Sequence, residues 1–303
     1  MYKLFWLLPV LFSFSFKGFG QHANPIKEPV YYTVADAIAA SSPATQLNMR
    51  DQQLFHVPND IAALKQLRFL NLMKNNLEEW EEDIFKLKKL EVINLKLNKL
   101  RYIPSDIKKL TGLVSLDVSD NMITSLPQEL KNIKSLKFLY LSYNTLTSLP
   151  SAFGKNRQLE VLEINGNQLR YLPQNFSSLN SLRVLQIGFN QFNEFPEEIT
   201  ELESLEELNM EFNYLKNVSE NISGCKNLKV LLLNNNEIVE LPESIALLKN
   251  LELLSLSHNS ITILPKNISL LTNLKTLVLS GNEIPKKEKA RLKNRLPNCK
   301  IYF

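Results

Sequence analysis

The sequence predicts an α/β solenoid, in which a short repeat unit stacks on itself and adds one strand to a single parallel sheet. Three observations predict this fold class. Asparagine recurs every 23 residues without insertion or deletion, at Asn75, Asn98, Asn121, Asn144, Asn167, Asn190, Asn213, Asn236, Asn259 and Asn282. A leucine stands eight residues before each of these asparagines, and a proline stands six residues after most of them. A fixed period of this length indicates a repeat architecture, in which each unit packs only against its neighbours.

The residues just before each asparagine predict a short strand. Aliphatic side chains stand five and three positions before it, as Leu139 and Leu141 do before Asn144. This alternation places the aliphatic residues on one face of a strand and the intervening residues on the other. The asparagine amide carries both donors and an acceptor, so we expect it to satisfy backbone groups of the adjoining turns.

The second half of each repeat predicts a short helix or 3₁₀ turn on the far side of the solenoid. Proline fixes the start of this segment because its ring restricts φ. Glu81 and Ser219 replace the proline, and Asn156 and Cys225 stand where other repeats have an aliphatic residue. We expect looser packing at these positions. We interpret Cys225 as a small buried residue rather than a reactive thiol.

These positions together resemble the leucine-rich repeat family in its 23-residue form, LxxLxLxxNxLxxLPxxIxxL, over about residues 44 to 303. The resemblance implies a right-handed horseshoe with a concave parallel β-sheet and with short helices or 3₁₀ turns on the convex side. It also implies that a partner binds on the concave face. Residues 44–282 would hold about eleven repeats, the first a degenerate one with Gln52 in the asparagine position.

Capping segments are predicted to cover both ends of the core. Residues 21–43 form the N-terminal cap, with a short helix from Thr33 to Ala40 and Thr33 as its N-cap. Residues 283–303 form the C-terminal cap, with a helix from Lys286 to Arg295 and a last extended segment, Lys300 to Phe303. This ending resembles the C-terminal caps of bacterial repeat proteins of the same kind.

Residues 1–20 predict a signal peptide. Lys3 precedes an apolar run from Leu4 to Phe16, and the small residues Gly18 and Gly20 follow the run. The run is short for a membrane span, so we expect cleavage and export to the periplasm, the cell surface or the medium. An uncleaved anchor is the alternative.

Motifs and composition do not indicate an enzyme or a metalloprotein. The cysteines, Cys225 and Cys299, are separated by about three repeats, or roughly 14 Å, which is too far for a disulfide. The three histidines are scattered, and the glycines form no phosphate-binding loop. Two β-lactamase-like motifs, at 105–108 and 119–121, fall within the repeat register, and the third motif of that family is missing. We therefore expect no catalytic residue, no cofactor and no metal.

The charge of the chain does not indicate nucleic-acid binding, because the net value is only +4. The basic residues of the last helix are interpreted as a solvated face, with a phosphate-binding patch as the alternative. They are Lys286, Lys287, Lys289, Arg291, Lys293 and Arg295.

The predicted binding site lies on the concave face. Residues six, four and two positions before each asparagine should point to this face, and aromatic residues also stand directly before the asparagine in the middle and later repeats. Aromatic anchors with a polar rim are typical of interface hot spots, although the valines in the same rows are explained by strand preference alone. The predicted partner-binding residues are Phe138, Tyr140, Tyr143, Glu163, Gln186, Phe189, Glu207, Asn209, Glu211 and Phe212.

These features predict an exported, non-catalytic protein-interaction module that binds a macromolecular partner on its concave face. A protein is the expected partner and a glycan is the second candidate, whereas nucleic acid and a stable membrane span after signal cleavage are not expected. A cytoplasmic scaffold is an alternative, because the LPxxIxxL form resembles Ras-binding signalling repeat proteins. A bacterial ubiquitin-ligase effector is disfavoured, because about twenty residues after the repeats are too few for a catalytic domain.

Overall fold

The computed structural model describes residues 28–303 of the chain, so the predicted signal peptide at 1–20 lies outside the described residues. Within this described part, thirteen parallel strands form one open sheet, and each strand pairs with its neighbours in chain order. The strands are β1 (Val30–Tyr31), β2 (Gln46–Asn48), β3 (Phe69–Asn71), β4 (Val92–Asn94), β5 (Ser115–Asp117), β6 (Phe138–Tyr140), β7 (Val161–Glu163), β8 (Val184–Gln186), β9 (Glu207–Asn209), β10 (Val230–Leu232), β11 (Leu253–Ser255), β12 (Thr276–Val278) and β13 (Lys300–Tyr302).

Helical segments connect the strands on the opposite side of the core. Two are α-helices near the ends, α1 (Val34–Ala39) and α2 (Lys286–Arg295). The others are 3₁₀ segments at Asn59–Ala63, Glu82–Lys86, Ser105–Lys109, Gln128–Asn132, Phe153–Lys155, Gln174–Ser178, Glu197–Glu201, Ile222–Gly224, Glu243–Leu247 and Ile268–Leu270. The predicted fold class, a solenoid with a parallel sheet on one side and 3₁₀ turns on the other, is confirmed.

The strand register follows the 23-residue period. Phe69 pairs with Val92, and Val92 pairs with Ser115, so equivalent residues of successive repeats stand side by side. Neighbouring strands are about 4.8 Å apart, which brings each position of the repeat into a continuous row across the sheet. The chemistry of a row can therefore be read directly from the sequence.

The core lies between the sheet and the 3₁₀ segments. Leu136, Leu139, Leu141 and Leu146 of one repeat are each at most 1% exposed. Burying a leucine side chain contributes about 1.5–3 kcal/mol, and here each repeat buries its leucines against the adjacent repeats. One face of the sheet is thus packed against a continuous hydrophobic core.

The asparagines bond the turns together as predicted. Nδ2 of Asn144 donates to the carbonyl oxygens of Val118 and Leu141, both at 3.0 Å, and its Oδ1 accepts from the amide of Ile123 at 2.9 Å. Val118 and Ile123 belong to the preceding repeat, so one side chain fixes two successive turns. Asn167 makes the equivalent contacts one repeat later.

Packing is not loosened at the two unusual convex positions. Asn156 is 2% exposed and donates to the Leu130 and Ile133 carbonyls, while Cys225 is fully buried with its thiol 3.2 Å from the Ile199 carbonyl oxygen. The expected looseness is therefore not seen in these side chains. The carbonyl oxygens of neighbouring turns accept the hydrogens of both side chains, whereas Oδ1 of Asn156 is buried without a hydrogen-bond partner.

The terminal helices form where the sequence places them. Thr33 Oγ1 accepts from the Asp36 amide at 3.1 Å and caps α1, which ends at Ala39, one residue earlier than expected. At the other end α2 has the expected bounds, and β13 pairs with β12 and extends the sheet.

Candidate interaction surface

Four neighbouring strands bring six of the ten predicted residues together on the concave face. Phe138 and Tyr140 lie on β6, Glu163 on β7, Gln186 on β8, and Glu207 and Asn209 on β9. Residues in one row pair across the strands, with Tyr140 opposite Glu163, Glu163 opposite Gln186, and Gln186 opposite Asn209. The pairing of the strands therefore fixes the positions of the Cα atoms from which these side chains project.

The remaining aromatic residues occupy an unusual backbone conformation. Each residue directly before a repeat asparagine has a positive φ, including Tyr143 at 55° and both Phe189 and Phe212 at 52°. Large side chains are uncommon in this left-handed region, which costs roughly 1 kcal/mol per residue relative to glycine. The backbone conformation therefore gives no reason for the presence of aromatic side chains at Tyr143, Phe189 and Phe212.

Phe189 and Phe212 form a stacked aromatic pair at the edge of the concave face. Their ring centroids are 4.1 Å apart, with 13° between the ring planes. The residues remain 47% and 43% exposed, so the pair shields only part of its own surface from water. The result is a flat apolar ledge held by two adjacent turns.

Tyr143 lies apart from this pair. Its ring packs over Gly166 of the next repeat, where an added Cβ would come 2.6 Å from Tyr143 Cδ1. Tyr143 is nevertheless 56% exposed. The Tyr143 ring can occupy this position because Gly166 has no side chain.

Partial burial shifts the ionisation of the acidic residues on the concave face. Burial, and after it the nearby carboxylate of Asp117, raise the pKa of Glu163 to about 7; Lys96 opposes the shift, and Glu207 makes the smallest contribution to it. Burial also raises the pKa of Asp117 and that of Glu207. The pKa of Tyr140 is raised, first by burial and then by the neighbouring carboxylates. Asp117 was not among the predicted residues, although it occupies the same sequence row as Tyr140 and Glu163.

Amide side chains hold two of these carboxylates in place. Gln186 Nε2 donates to Glu207 Oε1 at 2.5 Å, and Asn234 Nδ2 donates to Glu211 Oε1. Asn234 is itself oriented, because its Oδ1 accepts from the Ser257 amide at 2.7 Å. The carboxylates are thus fixed by neutral donors, which leave their negative charge in place.

A row of alternating charge runs along the edge of the sheet, directly before the strands. In the middle of this row, Glu206 accepts from Arg183 at 2.6 Å and from Lys229 at 2.7 Å. A polar groove of about 600 Å³ lies beside these three residues. The complete row is Arg68, Glu91, Val114, Lys137, Glu160, Arg183, Glu206, Lys229, Glu252 and Lys275. Since positive and negative members pair, the row contributes little net charge to the surface.

Within residues 28–303, no group of three or more histidine, cysteine or acidic side chains is placed to hold a metal ion. In the same part of the chain, no helix has the length and apolar character needed to span a bilayer. Burial raises the pKa of Cys225 to about 12 and that of Cys299 to about 11. Both thiols are therefore protonated near neutral pH and are poor nucleophiles.

The stacked strands and the row of hydrogen-bonded asparagines (the asparagine ladder) define this chain as a solenoid repeat protein. Comparison with protein families shows to which repeat family it belongs. A family model described as leucine-rich repeat region matches residues 47–141 and 127–231, and a second, described as leucine rich repeat, matches residues 226–284. The chain belongs to the leucine-rich repeat family. A search of curated protein sequences finds no match.

Solved structures with the same fold come from several organisms. An internalin (inlF) from Listeria monocytogenes has a TM-score of 0.71 and 19% identity, over 89% of this chain and 86% of that one. A chain of the octameric complex of Latrophilin 3, Unc5D and FLRT2 has a TM-score of 0.73 and 23% identity, over 84% of this chain and 82% of that one. A chain of the Drosophila Toll–Spatzle complex has a TM-score of 0.70 and 21% identity, over 84% of this chain and 40% of that one.

Proposed function

We propose that this chain is an exported, non-catalytic interaction module that binds a protein partner on its concave face. The observation that carries the proposal is the exposed aromatic pair, Phe189 and Phe212, beside side chains from four adjacent strands. Bulky aromatic residues at left-handed positions carry a backbone cost. A binding role accounts for their presence.

The surface is suited to binding because it needs little ordering. The stacked rings of Phe189 and Phe212 and the hydrogen-bonded carboxylates of Glu207 and Glu211 stand on a rigid sheet. A preorganised surface loses less side-chain entropy on binding. Aromatic anchors with polar neighbours supply much of the binding energy in protein interfaces.

The structural relatives support a protein partner. The Toll–Spatzle structure and the complex of Latrophilin 3, Unc5D and FLRT2 are assemblies of proteins in which a chain shares this fold. We extend that mode of action to this chain. A glycan is the competing ligand class, and nucleic acid is disfavoured by the low net charge.

Export is supported by the signal-like residues 1–20. N-terminal sequencing of the mature protein tests this part of the proposal, and we expect a new terminus close to Gln21. An intact Met1 on the mature chain would instead favour the cytoplasmic scaffold.

Affinity capture tests the binding face. The mature chain is used to capture partners from surface extracts, and affinity for the captured protein is then measured with Tyr140→Ala and Phe212→Ala. We expect each substitution to weaken binding about tenfold or more, as hot-spot truncations do. Tyr171→Ala is the control, because Tyr171 is 62% exposed and lies four residues beyond a repeat asparagine, outside the predicted site. Recovery of glycans alone, or unchanged affinity in both folded variants, would reject a protein partner at this surface.

A further inference from the structure

The aromatic pair lies beside a strongly acidic part of the chain. Residues 194–211 contain no lysine or arginine, and their glutamates are Glu194, Glu197, Glu198, Glu201, Glu203, Glu206, Glu207 and Glu211. The last two are on the concave side: Glu207 is the first residue of β9, and Glu211 lies two residues after the strand and directly precedes Phe212. The other glutamates of the segment lie in or next to the 3₁₀ segment Glu197–Glu201, on the opposite side of the core, or at the edge of the sheet. Only Glu207 and Glu211 therefore share a surface with the apolar ledge.

The two concave carboxylates differ from those at the edge of the sheet. Glu206 is paired with Arg183 and Lys229, and Glu203 lies 2.9 Å from Lys226. Glu207 and Glu211 are instead bonded to the neutral amides of Gln186 and Asn234. No lysine or arginine forms an ion pair with either of them within residues 28–303.

This difference restricts what can cover the surface. Removing a carboxylate from water is costly unless a cation or several donors replace the water. The face of an aromatic ring also attracts a cation, by roughly 0.5–2 kcal/mol. Glu211 and the ring pair are close in the fold, since the Phe189 amide donates to the Glu211 carbonyl at 2.8 Å and Phe212 is the next residue. The rings and the carboxylate both favour a cationic group, and their backbones are in direct contact.

We propose that the partner places an extended segment on this surface with an arginine or lysine against the Phe189–Phe212 pair and Glu211. This inference rests on the proposed concave binding function and specifies its ligand chemistry. Arginine is the better fit, because a planar guanidinium stacks on aromatic rings while its N–H groups donate to a carboxylate. Glu207, four residues before Glu211, offers a second carboxylate on the concave side for another basic residue.

A displayed library of random short peptides tests the inference directly. It is selected against the full mature chain, and the affinity of enriched peptides is measured with arginine and with its uncharged isostere citrulline. We expect enrichment of a basic residue, about tenfold weaker binding after the exchange for citrulline, and weaker binding at high salt. Phe212→Ala and Glu211→Gln should each lower affinity about fivefold or more.

Matched variants separate this site from acidic charge in general. Glu203→Gln removes an exposed glutamate of the same segment, and Tyr171→Ala removes an exposed aromatic residue elsewhere. Both should leave peptide affinity unchanged. Equal loss in these controls, equal binding of the arginine and citrulline peptides, or failure to enrich any basic peptide would overturn the inference.

Two further results distinguish this inference from the proposed function. Suppose that Tyr140→Ala weakens binding of a captured protein, but that no basic peptide is enriched or the citrulline peptide binds equally well. The proposed concave binding function is then retained, and the proposed arginine or lysine of the partner is rejected. If sedimentation shows a dimer that Glu211→Gln dissociates, the occupant is a second copy of this chain. That result would overturn an extended segment as the ligand.

Discussion

Arg291 and Glu288 form a two-point ion pair on α2, with Nε and Nη2 of Arg291 each 2.7 Å from a carboxylate oxygen of Glu288. The same pair binds the repeat of Asn259, because Glu288 accepts from the Leu264 amide at 3.0 Å and Arg291 donates to the Leu264 carbonyl at 2.7 Å. The cap is thus attached to the solenoid by charged hydrogen bonds as well as by the buried Leu292.

We expect Arg291→Ala to lower the free energy of unfolding by about 2–3 kcal/mol, because it leaves Glu288 buried without its cation. Hydrogen exchange should show the loss first in the amides of β12 and β13. Lys287→Ala, on the exposed face of the same helix, is the control and should have almost no effect.

The cap should also open in acid. Burial by itself would raise the pKa of Glu288, but the hydrogen bonds from Arg291 and Leu264 and the charge of Arg291 outweigh it and hold the pKa below its usual value. The native state therefore binds this proton less readily than the unfolded state. The stabilisation is complete above about pH 5 and is lost as pH falls through the lowered pKa. The protection factors of the β13 amides, which compare observed exchange with the intrinsic rate at each pH, should fall in this range, whereas in Glu288→Gln this acid-dependent step should be absent.

Removal of one ladder asparagine should be costly. Asn144→Ala leaves the Val118 and Leu141 carbonyls and the Ile123 amide without their partner. We expect a loss of about 2–4 kcal/mol in urea unfolding, because unsatisfied buried backbone groups retain their desolvation cost. Asn180→Ala, at an exposed position, should change stability by less than about 0.5 kcal/mol. Similar effects in both variants would contradict the role of the ladder.

Two glycines provide a matched test of the convex packing. A Cβ on Gly154 would stand 1.8 Å from the Asn175 carbonyl oxygen, whereas one on Gly112 would come no closer than 3.7 Å to any atom, the nearest being the Leu90 carbonyl oxygen. Gly154→Ala must therefore push two turns apart, and we expect a loss of about 2–3 kcal/mol. Gly112→Ala should be tolerated. The comparison requires only thermal unfolding midpoints, and equal midpoints would show that the turns can separate without cost.

Much of this architecture could be predicted because a solenoid converts sequence period into spatial rows. The strands, the asparagine contacts and the six strand residues of the candidate surface all follow from position within the repeat. The alternating row that includes Arg183, Glu206 and Lys229 follows in the same way, from residues seven positions before each asparagine.

Properties that depend on side-chain direction could not be predicted. Tyr143, Phe189 and Phe212 share nearly the same positive φ, and the direction in which this φ sends their rings is not evident from the sequence. The rings of Phe189 and Phe212 stack, whereas that of Tyr143 lies over Gly166. The raised pKa of Glu163 depends on how far the curved sheet buries it. The period gives the neighbours of a residue but not its solvent exposure.

Glu163 should make stability depend on pH near neutrality. Its pKa of about 7 lies above the unfolded value of about 4.5, so the native state holds this proton more tightly. The native chain should therefore lose stability relative to Glu163→Gln as pH rises from about 4.5 to about 7, by roughly 1 kcal/mol after allowance for solvent screening. The facing groups, Asp117, Lys96, Glu207 and Tyr140, remain in both proteins. Urea midpoints at pH 5 and pH 8 measure the difference, and a pH-independent difference would contradict the shift.

Phe212→Asn separates stability from binding at the aromatic pair. The next repeat already has Asn235 in this position, with φ at 54°, close to the 52° of Phe212. Asparagine tolerates left-handed backbone better than phenylalanine, and the lost ring is partly exposed, so the free energy of unfolding should stay within about 1 kcal/mol of the native value or rise. Partner binding should nevertheless fall about tenfold, because the stacked surface is gone. Leu97→Asn makes the same backbone change at φ 57° in a distant repeat and should leave binding intact. A large loss of stability in Phe212→Asn alone would mean that the ring pair supports the fold, and its exposure would then need no partner to explain it.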